Sequence, residues 1–256
     1  MKTVILAGGL GTRIREESEF RPKPMVLIGN RPILWHIMKT YSHFDFNEFI
    51  VCVGYRGDDI RNYFLNYKTS TLDFTINLSD NQKIVHNDNL KEKWNVTVAE
   101  TGPSTPTGGR IFKIRDHITE DLFMCTYGDG VSNINIQKLL EFHRAHDKIA
   151  TLSAVKVKSR FGVLDISNSA NVQSFQEKPM DSGWINAGYF VFNRKVFEYL
   201  DENSVLESSL LKTLSNQNEL MAYKHEDFWQ PMDTYRESQI LNNLWSEDRA
   251  PWKLWD

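Results

Sequence analysis

Cysteine is almost missing from this chain: of 256 residues, only Cys52 and Cys125 carry thiols, and both sit inside apolar runs. No metal-type spacing is possible with that pair, so a cysteine metal site is excluded and two buried free thiols in a reducing compartment are expected. Long hydrophobic runs are missing too. No stretch approaches the roughly 20 apolar residues that a membrane helix needs. The apolar run at the start is halted by Gly8-Gly9, too short for the core of a signal peptide. A cytoplasmic protein is expected. Nor is there an excess of positive charge: 30 basic against 33 acidic residues leave −3. That balance argues against a general nucleic-acid binder, while a local basic pocket for small phosphates stays open.

Two nucleotide-binding signatures are absent as well. There is no Gly-Lys-Ser/Thr of a P-loop, and Ile14 stands where a dinucleotide fingerprint needs its third glycine. No Ser-His-Asp or Cys-His arrangement suggests a covalent nucleophile.

What is present is a composition with 41% hydrophobic and 25% charged residues, ordinary for a folded domain of this length. The apolar run Thr3–Ala7 reads as a strand covered on both faces. Helical spacing over Arg31–Phe44, a strand at Glu48–Gly54 and a helix at Asp58–Tyr67 follow. Further βα units join Trp94–Glu100 to a helix near Gly109–His117, and Leu122–Tyr127 to Ile134–His146. Leu72–Asn89 reads as a polar β-hairpin. The alternation predicts a doubly wound, mostly parallel, Rossmann-like α/β sheet with small hairpin excursions. After Ala150 come strand-like segments Thr151–Val157, Phe161–Ile166, Val172–Phe175 and Ile185–Phe192, then helices at Val196–Leu200, Leu206–Leu214 and Thr234–Trp245. We read one domain, with 1–150 as the nucleotide-binding half and 151–256 as the acceptor-binding half.

Leu6-Ala7-Gly8-Gly9-Leu10-Gly11-Thr12-Arg13 ends the first strand. Glycines there let the backbone turn tightly and bring bare N–H groups against an oxyanion. A turn without a ligand accounts for the same glycines. In Arg21-Pro22-Lys23-Pro24 the prolines stiffen the loop that presents Lys23; a solvated loop is the plainer alternative. Asp129, in Tyr127-Gly128-Asp129-Gly130, falls at a C-terminal strand edge, where ligands collect and a carboxylate suits Mg²⁺. Asp-Gly is also a hairpin signal. Asp233 precedes the last helix, where local sequence favours a plain N-cap. Glu177-Lys178-Pro179 and Asn186-Ala187-Gly188 offer groups for hydroxyls and phosphate, or simply turns. His143 and His146 share a helix face amid charged neighbours, which reads as solvated. The tryptophans read as core or interface, and those of the tail (Trp245, Trp252, Trp255) suit either a neighbouring subunit or a cap on their own domain.

Taken in order, Leu6–Arg13, Pro22-Lys23-Pro24, Tyr127–Gly130, Glu177-Lys178-Pro179 and Asn186-Ala187-Gly188 resemble the sugar nucleotidyltransferase (nucleotide-sugar pyrophosphorylase) family. Pro32–Lys39, Trp94–Thr97, Thr107–Arg110, Phe175–Pro179, Phe228–Thr234 and Ala250–Lys253 are similar to its glucose-1-phosphate cytidylyltransferase subfamily. The resemblance implies that Gly8, Gly9, Gly11, Thr12 and Arg13 hold the nucleotide, with Leu6, Ala7 and Thr101 near the base. It implies that Arg13 and Lys23 act at the reacting phosphates and that Asp129 and Asp233 share Mg²⁺, against the local reading of Asp233 as a cap. Gly109, Arg110, Tyr127, Glu177, Lys178 and Asn186 would surround the hexose 1-phosphate. A homo-oligomer, trimer or hexamer, is implied too, as is a product bound for bacterial surface polysaccharide. The chain departs from the subfamily at Ser208-Ser209, beside Glu207, and at Lys158-Ser159.

The implied reaction is attack by the sugar phosphate on the α-phosphorus of CTP, with pyrophosphate leaving. Two rivals stay open: the same chemistry with dTTP, UTP or GTP or another sugar, and a non-catalytic nucleotide-sugar sensor.

Overall fold

The computed structural model describes residues 1–9, 21–157, 163–167, 169–176 and 183–255. Seven strands build the central sheet: β1 (Lys2–Leu6), β2 (Glu48–Val53), β3 (Asn95–Glu100), β4 (Leu122–Tyr127), β5 (Ala150–Val155), β6 (Ile185–Asn193) and β7 (Leu220–His225). Their order across the sheet is β7-β5-β6-β4-β1-β2-β3. All ladders are parallel except the two made by β6, which runs against both β4 and β5. Both halves of the chain therefore contribute to one mixed, mostly parallel sheet, as the alternation of apolar runs predicts.

Side chains alternate across a strand, so neighbouring residues enter opposite cores. Ile5, Val51, Met124 and Val191 face one layer, and Val4, Ile50, Cys125 and Phe190 the other. The first layer is covered by helices α1 (Ile33–Ser42), α2 (Gly57–Leu65), α4 (Ile136–Arg144) and α6 (Tyr235–Ser246). The second is covered by α3 (Thr107–Lys113) and α5 (Leu211–Asn216). Cys52 and Cys125 are buried free thiols in that second core. Four two-stranded ladders stand outside the sheet among the described residues, including the expected hairpin Phe74–Ile76 with Lys83–Val85.

Several boundaries move for local reasons. Helix α1 starts at Ile33 because Arg31–Pro32 pairs with Leu27–Ile28 and extended Pro32 serves as its N-cap. The segment before α5 opens as a π-turn, Leu206–Leu210. One side-chain expectation is corrected and one open choice is decided. His143 and His146 are not a solvated face: Thr151 Oγ1, on buried β5, lies 2.9 Å from His143 Nδ1 and 2.8 Å from His146 Nε2. The tryptophan tail closes on its own domain. Trp252 is fully buried, stacks with Trp245 and Phe228, and donates its Nε1–H to His36 Nδ1 at 3.3 Å. No helix among the described residues is long and apolar enough to cross a membrane.

Buried neutral histidines make stability depend on pH. Burial lowers His36 to about 4, with its Nε2 side held by the Ile28 carbonyl at 3.0 Å. Burial and then His146 lower His143 to about 4 as well. The unfolded chain takes up protons from about pH 6.5 down, before the folded chain does. Their stabilisation is thus fully present above 6.5 and is lost as pH falls through 4. Each should cost about 2 kcal/mol between pH 7 and pH 5. Urea midpoints should drop accordingly, and His143→Asn should remove part of the drop; equal midpoints at both pH values would contradict this.

Candidate active site

The C-terminal ends of β1 and β4 lie side by side, Leu6 opposite Tyr127, while β2 lies on the other side of β1. The chain steps from β1 to β2 and β3 on one side and then crosses back to β4 on the other, and open α/β sheets bind ligands at such a crevice. Because β6 runs backwards, its start at Ile185–Asn186 reaches the same edge.

Ala7 and Gly8 are buried and Gly9 is exposed, so the turn emerges from the sheet at Gly9. Ala7 N–H donates to Cys52 O at 3.0 Å, and Gly8 O accepts from Tyr55 N at 3.3 Å. Beneath it sits Arg110, only 4% exposed. Its guanidinium donates to Gly8 O at 2.8 Å, Thr101 Oγ1 at 2.6 Å, Gly102 O at 2.9 Å and Val53 O at 3.2 Å. A Cβ on Gly8 would fall 2.0 Å from Arg110 Nη1, so only glycine allows this approach. Arg110 thus ties the ends of three strands together under the turn. Thr101 is buried in the same cluster. Gly109 packs inside α3, where a Cβ would meet Glu202 O at 2.2 Å.

Lys23 lies in a 3₁₀ turn, Lys23–Met25, and its side chain is only a tenth exposed. Gly128 makes room for the turn, since a Cβ there would meet Leu6 O at 2.9 Å and Pro24 at 3.1 Å. The Lys23 ammonium is shared by two carboxylates, donating to Asp129 Oδ2 at 2.7 Å and to Asp233 Oδ1. Burial alone would lower its pKa, but Asp129 and then Asp233 outweigh it, so the ammonium is held above its ordinary value. The solvated-loop alternative for Lys23 does not describe this structure.

The two carboxylates come from the middle and the late part of the chain, and a short antiparallel ladder brings them together. Gly130–Ser132 pairs with Trp229–Pro231, and Met232 N–H donates to Asp129 O at 2.8 Å. Asp129 therefore sits in the bend between β4 and that short strand, which pairs with Trp229–Pro231 and not back onto β4 as a hairpin would. Asp233 is not the cap of α6 either. Thr234 is, in a reciprocal capping box with Glu237, whose carboxylate also accepts the Asp233 N–H at 2.8 Å. That leaves the Asp233 side chain directed at Lys23.

On the acceptor side, Tyr127 and Asn186 meet: Asn186 Nδ2 donates to Tyr127 Oη at 3.3 Å. Tyr127 in turn donates to Glu207, a residue that sequence reasoning treated only as a landmark. Nothing in its local pattern marks it, because the contact depends on how the π-turn folds back on β4. Gly11, Thr12, Arg13, Glu177 and Lys178 lie outside the described residues.

Comparison with known proteins agrees with this architecture. A family profile described as "Nucleotidyl transferase" matches residues 2–234. The chain is 48% identical to glucose-1-phosphate cytidylyltransferase of Salmonella typhimurium, with all of both chains covered. It is 27% identical to mannose-1-phosphate guanyltransferase of Saccharomyces cerevisiae, over 99% of this chain and 68% of that one. Among solved structures, UTP-bound UGPase from Acinetobacter baumannii superposes with a TM-score of 0.70 at 17% identity, covering 96% of this chain and 93% of that one. HddC from Yersinia pseudotuberculosis complexed with GMP-PN superposes at 0.69 and 22% identity, covering 95% and 99%.

Proposed function

We propose that this chain, which belongs to the nucleotidyl transferase family, transfers the cytidylyl group of CTP to α-D-glucose 1-phosphate, giving CDP-glucose and pyrophosphate. End-to-end identity of 48% with the Salmonella cytidylyltransferase supports the choice of substrates. The observation that carries the chemistry is the Lys23 ammonium held between Asp129 and Asp233 at the mouth of the sheet, beside the glycine turn.

A phosphate monoester is already a nucleophile near neutral pH, so the reaction needs no covalent intermediate. One bond forms between a sugar-phosphate oxygen and the α-phosphorus of CTP. The bond from that phosphorus to the bridging oxygen of the β-phosphate breaks, and the pair of electrons leaves on pyrophosphate. The obstacle is repulsion between two polyanions. Gly8 and Gly9 present main chain to the triphosphate, joined in this reading by Gly11, Thr12 and Arg13, while Leu6, Ala7 and Thr101 shape the turn near the base. Lys23 supplies positive charge where negative charge develops, and Arg13 adds to it. Holding both substrates in line contributes much of the remaining acceleration. Tyr127, Glu177, Lys178 and Asn186 are assigned to the sugar phosphate. Arg110 and Gly109 serve from below, through the turn and helix they brace.

Asp129 and Asp233 fit a divalent cation: two carboxylates converge on one positive charge, and Mg²⁺ takes oxygen ligands from one or two carboxylates plus substrate phosphates. Mg²⁺ held there would supply Lewis-acid neutralisation of the phosphates. Reliance on CTP points to the cytoplasm; a homo-oligomer and a product that feeds surface polysaccharide are carried over from the family resemblance.

Pyrophosphate release with glucose 1-phosphate, Mg²⁺ and CTP, UTP, dTTP or GTP in parallel tests the reading. Release with CTP above all others is expected. Preference for another triphosphate would overturn the cytidylyl assignment, and silence in every well with a panel of hexose 1-phosphates would favour a sensor.

A further inference from the structure

Beyond the residues assigned above, the π-turn Leu206–Leu210 carries a side chain whose placement calls for an explanation. Such turns are rare and concentrate at functional sites. Here Leu210 N–H reaches back to Val205 O, and the loop directs Glu207 toward the end of β4. One Glu207 oxygen accepts from Tyr127 Oη and the other from Thr107 Oγ1 at 2.9 Å. Among the described residues Glu207 forms no ion pair. An exposed carboxylate that engages two neutral hydroxyls, rather than a cation, is set to fix hydroxyl positions.

Tyr127 is held on every side by this arrangement. Its hydroxyl donates to Glu207 and accepts from Asn186 Nδ2 at 3.3 Å. Its ring is packed on Gly188, which adopts φ +82°, and a Cβ there would lie 2.4 Å from Tyr127 Cδ2. The clamped phenol lies two positions before Asp129 in the chain, at the edge where the acceptor must approach the α-phosphorus.

We propose that Glu207 is a positioning residue for the acceptor: by holding the Tyr127 hydroxyl it sets the orientation in which Tyr127 and Asn186 meet the hexose of the sugar 1-phosphate. This rests on the transferase reading above and extends it to the determinant of sugar binding. The carboxylate does not take part in phosphoryl chemistry. It acts through Tyr127, and Thr107 anchors it to the start of α3.

Steady-state kinetics on the full-length protein test the assignment, varying CTP and glucose 1-phosphate separately for Glu207→Gln, Tyr127→Phe and the double variant. Loss of a charged hydrogen bond should raise KM for glucose 1-phosphate about tenfold in Glu207→Gln. KM for CTP and kcat should stay within about twofold of wild type. The double variant should be no worse than the poorer single one, because Gln weakens and Phe removes one and the same Tyr127–Glu207 contact. An unchanged sugar KM, or an equal rise in both KM values, would overturn the role. If Glu207→Gln does not fold, Thr107→Val, which frees the other Glu207 oxygen and touches no substrate group, decides in its place: its sugar KM must rise while KM for CTP does not. Absence of turnover in the wild type with every hexose 1-phosphate would instead defeat the transferase reading itself.

Discussion

Lys23→Ala is expected to lower kcat/KM for pyrophosphate release by about 10²–10³, the range seen when one preorganised donor at a developing negative charge is removed. The side chain is a tenth exposed and pinned between Asp129 and Asp233. Its charge is therefore fixed in place before substrate arrives, which is what distinguishes a preorganised cation from a mobile surface lysine. The same substitution leaves two carboxylates facing each other without their shared ammonium. They are 35% and 25% exposed, so water and salt absorb much of the repulsion and the fold should survive. Binding of Mn²⁺ without nucleotide, followed by its electron paramagnetic signal, should tighten in the variant, because the metal no longer competes with the lysine for the same oxygens. Near-normal turnover in Lys23→Ala would remove the lysine from the reaction. Unchanged Mn²⁺ affinity would separate the two carboxylates from the metal.

Arg110→Ala should be the most destabilising single change near the site. It removes one donor each from Gly8 O, Val53 O, Thr101 Oγ1 and Gly102 O at once. Gly8 O keeps Tyr55 N–H and Val53 O keeps Thr101, but four lost charged hydrogen bonds and the cavity left beneath the turn add up. A loss of roughly 3 kcal/mol is expected, a melting temperature lower by roughly 10 °C. Arg110→Lys should recover little, since an ammonium is a point donor and cannot span acceptors from three strand ends. KM for CTP should rise in both variants as the Gly8 turn is released. A wild-type melting temperature in Arg110→Ala would show that the guanidinium contributes nothing to holding the strand ends.

Arg110 also illustrates what one-dimensional reading misses. Its motif, Thr107-Gly108-Gly109-Arg110, is exposed to inspection in the sequence, but nothing there says which way the guanidinium points. In the fold, α3 packs against the end of β1, and the glycine at position 8 opens the space that the side chain fills. The expectation of a solvated face at His143 and His146 fails for a similar reason. Flanking charges suggested water, while the partner that buries them, Thr151, belongs to the next strand. Glu207 was passed over because its contacts, Tyr127 and Thr107, lie on other elements brought near by the π-turn.

By itself the sequence determined the things that depend on local period and composition. Apolar runs separated by helical spacing specified a doubly wound sheet, and the glycines after β1 and before Asp129 marked where main chain must pass closely. Tertiary structure alone decided which charges meet. A three-residue ladder between Gly130–Ser132 and Trp229–Pro231 carries Asp233 to Asp129, and a proline-flanked turn places Lys23 between them. The physical reason is that charge interactions act across space rather than along the chain. A carboxylate that looks like a helix cap in its own segment becomes half of the pair that holds Lys23 only when β-pairing sets it opposite another.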